Sequence, residues 1–299
     1  MKKNLIVSAV HDLEYPLLAP FLESLRATGS PAHVHLFLSR VSARSRKKIE
    51  ALGVTTQSFY YLHFRRRRPL MLLWPLWKRM LASRDFAGKC RLAPKLFFFV
   101  SLRHALTYEY LAQHQDEFEN VLLTDCRDVT FQRDPFSENL GPGLHCFLEA
   151  RAYTIGTSPS TRRMVETAFG PAVAAELADY PISCAGTTLG DMRSIMAYEK
   201  MMLEMLCTIR KMTQSNDQGV HNYIIHKHLF SPLHLHDNYS SSVFTAGCEG
   251  RDTILMNDRD EIIRKDGGVY PILHQHDRHR ELYAKLVAKL GLSSDSLPM

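Results

Sequence analysis

The opening sixty residues alternate between two patterns, and that alternation limits the fold more than any other feature. Residues 3–10 (KNLIVSAV), 33–38 (HVHLFL) and 55–62 are short runs rich in apolar, β-branched or aromatic residues, with the length and composition of strands. Between the first two, Pro16 suits a first helical turn, Leu17, Leu18, Phe21, Leu22 and Leu25 mark one helix face, and Gly29 ends it. Between the second and third, Ser42 caps a basic helix, SARSRKKIEALG, closed by Gly53. Strand and helix alternating at this spacing build βαβ units, so an α/β fold with a parallel sheet is expected. Such sheets bind ligands in the crevice beyond the carboxyl ends of their strands.

Residues 120–136, NVLLTDCRDVTFQRDPF, deliver charge to that edge. Val121, Leu122 and Leu123 make a short buried strand, and Asp125, Arg127 and Asp128 follow where it runs out. Pro135 stops any continuation, because it has no N–H for the ladder. Two carboxylates at a strand terminus suit a ligand crevice better than a core. Asp125 and Asp128 are the minimal protein supply for a hard cation such as Mg²⁺ or Mn²⁺ that also binds substrate phosphates. Arg127 is expected to form an internal ion pair, since a second cation beside a metal is costly. The first strand's tip, Ser8, Ala9 and His11, falls on the same edge and offers a place for a nucleoside.

Net charge is +6, which favours an anionic partner: a phosphorylated substrate, a membrane surface or nucleic acid. None of the six cysteines forms a C-x-x-C pair, so neither a zinc ribbon nor a redox pair is expected; they read as free thiols in a reducing compartment. The apolar run after Met1, Lys2 and Lys3 is too short for a signal peptide, and no stretch approaches the ~20 apolar residues of a membrane helix. A cytoplasmic protein is expected. Arg65, Arg66, Arg67 and Arg68 lead into a Trp- and Leu-rich stretch, either a solvated charge run beside a core helix or a basic flap that makes peripheral membrane or acceptor contact.

Farther along, residues 94–118 carry the longest helical pattern, with Arg103 on or near its apolar stripe. Arg103 is placed either to pair with a carboxylate or to reach a substrate phosphate. Residues 161–177 read as a helix. In CAGTTLGDMR, Gly186 and Gly190 flank a short apolar piece, and Asp191 begins another helix; Gly186 offers close backbone approach to a sugar. Asn216 caps a further helix with Asp217 and Gln218 in its first turn, where an acid is common for the macrodipole alone. A hairpin around residues 258–260, the segment VYPILHQHDRH and a helix over 281–290 complete an irregular C-terminal part. One domain, 1–299, is expected: a nucleotide-sugar half (1–136), an acceptor-side half (137–290) and a mobile tail (291–299).

The acidic string resembles the short "DxD" motif of GT-A type glycosyltransferases, which transfer a sugar from a nucleoside-diphosphate donor. The longer run DCRDVTFQRDPF is similar to a group of nucleotide-sugar transferases from bacteria, plants and large viruses. The opening strand and helix, the Arg103 helix, CAGTTLGD, Asp217-Gln218 and His274-Gln275 follow that group's order. The resemblance implies a Rossmann-type mixed, mainly parallel sheet flanked by helices. It also implies a Mn²⁺ or Mg²⁺ site of Asp125, Asp128 and His274, and a donor-sugar contact from Asp217 and Gln218. Ser8, Ala9, His11, Arg103, Asp125 and Gly186 are then the donor-binding set. The usual motif leaves one residue between its acids and this one leaves two. Asp128 is thus the firmer ligand, while Asp125 binds metal directly, binds ribose, or acts through water. His276 is a second choice to His274. An inverting reaction needs a base near the acceptor, a role open to Asp191 or Asp217.

The implied function is metal-dependent transfer of a sugar from a nucleotide sugar to a hydroxyl of a glycan or glycolipid. A nucleotidyltransferase would use similar acids, but it usually carries a Gly-rich loop after the first strand, and SAVHDLEY (8–15) has no glycine. The third reading is a non-catalytic basic module that binds anionic polymer or membrane.

Overall fold

The computed structural model describes residues 2–61 and 69–292; the arginines 65–68 and most of the expected tail lie outside this range. Strands β1 (Lys3–His11), β2 (His33–Ser39), β3 (Thr55–Ser58) and β4 (Phe118–Thr124) pair in parallel in the order β3-β2-β1-β4. A short strand β5 (Val129–Phe131) leaves this sheet, and β6 (Leu144–Leu148) rejoins it. Next comes β7 (Ser183–Asp191), which runs antiparallel to both β4 and β6, and β8 (Leu233–His236) closes the order as β4-β7-β6-β8. One strand of seven is therefore reversed, and the sheet is mixed but mainly parallel.

Alternation along β1 explains the two-sided core. Leu5 and Val7 face one side, with Phe37, Val121 and Leu144, against helices Phe99–Gln113 and Met192–Leu206. Ile6 faces the other, with Leu36 and Leu122, against Leu18, Phe21 and Leu22 of helix Tyr15–Ala27. Each such fully buried side chain contributes about 1.5–3 kcal/mol relative to exposure. The expected Pro16 start and Ser42 cap are present: Pro16 occupies the first turn, and Ser42 accepts a hydrogen bond from the Ser45 amide.

The C-terminal segment adds β9 (Val243–Thr245), a hairpin of β10 (Leu255–Met256) and β11 (Ile262–Ile263), and β12 (Ile272–His274). β12 lies between β5 and β9 in a second, three-stranded sheet. Helix Arg280–Lys289 follows, close to its expected bounds.

Three local expectations change. The helix expected from residue 94 is two helices, Phe86–Leu96 and Phe99–Gln113, separated by an extended Phe97. The one expected over 161–177 breaks at Gly170, whose φ of 104° only glycine adopts readily, and Pro171 starts the next helix. The short apolar piece flanked by Gly186 and Gly190 lies within the central strand β7, Ser183–Asp191.

Candidate active site

Asp125 is the first residue beyond β4, and its amide donates to the Gly186 carbonyl at 2.8 Å. Asp128 immediately precedes β5. Register then does the long-range work: β5 and β12 run antiparallel with Val129 opposite His274, and the Gln275 amide donates to the Asp128 carbonyl at 2.8 Å. Pairing of two short strands brings a histidine from the far end of the chain beside the acidic turn. Gly186 completes the arrangement. A Cβ there would lie 2.5 Å from His274 Cε1 and 2.7 Å from Asp125 Oδ2, so only glycine leaves both side chains room.

His274 Nε2 is 3.9 Å from Asp125 Oδ2 and 3.9 Å from Asp128 Oδ1, and one ligand atom from each of the three residues lies within 4.8 Å of the others. These spans exceed a hydrogen bond. His274 is 1% exposed, yet its Nε2 has no hydrogen-bond partner among the described residues. A buried ring nitrogen close to two carboxylates, too far for a hydrogen bond to either, fits the donor set of a divalent cation. The other ring nitrogen, Nδ1, meets Cys184 Sγ at 3.6 Å, which holds the ring's orientation. Two carboxylates and an imidazole suit Mn²⁺ better than Mg²⁺.

Arg103, from helix Phe99–Gln113, separates the two acids electrostatically. It donates from Nη1 to Asp125 and from Nη2 to Asp217 Oδ2 at 3.1 Å. Burial opposes the charge on all of these groups. For Asp125 that effect is outweighed by Arg103 and His274, and its pKa falls below the usual value. For Asp128 burial dominates, and its pKa rises despite His274 and Arg127. Arg127 forms the expected ion pair, but chiefly with Asp277, at 2.9 Å, and at 3.9 Å with Asp128.

Asp217 sits in the first turn of helix Asn216–His226 and is taken up by Arg103. Gln218 accepts from the Ala185 amide at 2.9 Å and donates to the Ser183 carbonyl at 2.8 Å. Its amide therefore clamps the start of β7, where the strand slips register against β6. At the β1 tip, the Ala9 carbonyl accepts from Cys126 Sγ at 3.8 Å, and the buried Ser8 lies on the same strand. His11 stands edge-on to Tyr61 at 4.6 Å and 5.7 Å from Phe99.

Two expectations do not survive. Asp191 is no base at this edge, because β7 is reversed. Thr187 pairs with Thr124 at the acidic end of β4, whereas Asp191 pairs with Asn120 at its start, about 13 Å away along the strand. There it caps helix Met192–Leu206, accepting from the Ser194 amide and hydroxyl and from the Gly143 amide. His276 is not part of the cluster. Gln275 takes a left-handed φ of 55° as β12 ends, and His276 turns into the interior against Tyr283, where burial holds it neutral with a pKa of about 3.

Glu149 is a site residue that the sequence reading passed over. It follows β6, which runs with β4, so it reaches the same edge as Asp125. Burial raises its pKa, partly offset by His274, and it bonds to Cys184. The signal was present in the sequence: an acid directly after the apolar strand LHCFL, as Asp125 follows NVLLT.

This mixed sheet, with its acids beyond β4, is the GT-A glycosyltransferase fold. Among solved structures, the chain is similar to the galactosyltransferase LgtC determined with donor and acceptor sugar analogues: 14% identity, 97% of this chain and 96% of that chain covered, TM-score 0.52. No family model and no curated protein matches the sequence.

Proposed function

We propose that this protein is a metal-dependent glycosyltransferase, moving a sugar from a nucleoside-diphosphate sugar to a hydroxyl of a glycan or glycolipid. The observation that carries the reading is the convergence of Asp125, Asp128 and His274, with the orphaned His274 Nε2 between the carboxylates. These three would hold Mn²⁺ or Mg²⁺. Once bound, the ion neutralises charge growing on the departing diphosphate. Asp125 is favoured in its ionised form beside Arg103, and a bound ion would favour the ionised form of Asp128 as well. The nucleoside lies at the β1 tip, with Ser8, Ala9 and His11. Asp217 and Gln218 position the donor sugar indirectly: Asp217 by fixing Arg103, Gln218 by holding the start of strand β7, which carries Gly186. Glu149, whose neutral form burial favours, can donate a hydrogen bond to a sugar oxygen when protonated. The LgtC neighbour, solved with both donor and acceptor analogues, supports this over nucleotidyl transfer or a purely binding module.

The test is titration calorimetry with nucleoside diphosphates, with and without Mn²⁺. Binding that strengthens with the metal is expected. Indifference to both ligands would remove the reading.

A further inference from the structure

Residues 51–84 contain seven arginines and lysines and no aspartate or glutamate. The described part of that stretch includes a 3₁₀ turn, Pro69–Leu73, and a helix, Trp74–Ala82. One face of the helix is anchored. Trp74 is buried with its indole N–H donating to the Ile209 carbonyl at 3.0 Å, and Leu81 is fully buried. Beside this anchor the chain is apolar and open: Leu72 is 83% exposed and Leu73 43% in the turn, and Leu76 63% on the helix. Exposed leucines scattered singly are ordinary, but three within five residues form a ridge. Arg79 follows Leu76 by one turn, Lys78 lies beside it and Arg84 just beyond. Among the described residues none of these three cations has an ion-pair partner.

The ridge also borders a groove of about 690 Å³ whose lining includes Met71, Leu72, Arg163 and Met164. Its lining also includes Lys211 and Thr213, Gln214 and Ser215, the residues leading into the helix that carries Asp217. Its lining thus combines apolar side chains with the cations Arg163 and Lys211.

We infer that the Leu72–Leu73–Leu76 ridge docks this protein on an anionic bilayer, and that the adjoining groove receives the headgroup of a lipid-linked acceptor. Exposed leucines followed along the chain by the unpaired cations Lys78, Arg79 and Arg84 match such a surface in both polarity and charge. Docking rests on the ridge alone; the acceptor assignment rests on the glycosyltransferase reading.

Co-sedimentation of the full chain with vesicles tests it. Phosphatidylcholine vesicles containing phosphatidylglycerol should carry the protein down, and pure phosphatidylcholine should not. L72S/L76S should weaken binding about tenfold or more, and K78E/R79E at least about twentyfold. All four positions contribute little to the core, and circular dichroism checks the fold; if the leucine variant unfolds, the charge variant decides. Protein left in solution with both vesicle types overturns the proposal, as do variants that bind like the parent. A dimer that L72S/L76S abolishes, without vesicle binding, also overturns it and assigns the ridge to a second copy. Calorimetry with nucleoside diphosphate and Mn²⁺ on the same variants should be unchanged. A chain that binds vesicles but no nucleotide keeps the docking and loses the acceptor assignment.

Discussion

Arg103 Nη2 lies 3.1 Å from Asp217 Oδ2, while the same guanidinium holds Asp125 through Nη1. One side chain therefore ties the acidic turn after β4 to the helix carrying Asp217 and Gln218. Arg103 is mostly buried, and removing it would strand two acids beside each other. Arg103→Met should cost about 3 kcal/mol in urea unfolding. Adding Asp217→Asn should recover part of that loss, because one uncompensated charge is gone. Additive destabilisation by the two substitutions would show that the bridge does not exist.

Asp128 has its carboxyl pushed toward the protonated form by burial, so its charge does not support the fold. Asp128→Asn should leave the urea midpoint unchanged or higher. Transfer activity should fall about 100-fold or more, a loss comparable to removing one electrostatic stabiliser of a transition state. Parental activity with Mn²⁺ in that variant would discard the metal assignment.

Gly186→Ala places a methyl group against the His274 ring and the Asp125 carboxylate. The imidazole has to move, and the three donors no longer converge. Mn²⁺ should then cease to strengthen nucleoside diphosphate binding, while the chain stays folded. Calorimetry reads both affinities, and an unchanged response to metal would show that the close approach is irrelevant to binding.

Glu149 is nearly isosteric with glutamine and is held toward its neutral form by burial. Glu149→Gln should therefore leave stability within about 0.5 kcal/mol of the parent. Turnover should fall at least about tenfold if the carboxyl donates to substrate. Equal turnover would reduce Glu149 to a packing residue.

Acid should destabilise the protein well before its carboxylates titrate. Burial depresses His221 to about 3 and His35 and His236 to about 4, so all three are neutral in the fold at neutral pH. Unfolded, each titrates near about 6.5. As pH falls below that value, the unfolded chain takes up protons that the native one refuses. Stability is fully present above about pH 6.5 and declines toward pH 4, by up to about 1.4 kcal/mol per pH unit for each histidine. Denaturant midpoints between pH 7.5 and 5 measure the slope. A flat profile would mean that these rings are not buried neutral.

Much of the architecture could be read locally. Apolar alternation in 3–10 and 33–38, Pro16 and Ser42 each fixed their element, because side-chain period, ring geometry and capping act within a few residues. The helix breaks at Phe97 and Gly170 were missed because the apolar spacing runs straight across them.

The order of residues alone placed Asp125 and Asp128 at the end of a strand and Asp217 and Gln218 in a helix's first turn, since those positions follow from local pattern. Folding chose their companions. Reversal of β7 carried Asp191 to the opposite edge, parallel travel of β6 brought Glu149 to the near one, and pairing of β5 with β12 selected His274 while the left-handed Gln275 turned His276 inward. Strand direction and register are settled by contacts between segments far apart in the chain, where no neighbouring residue carries the instruction.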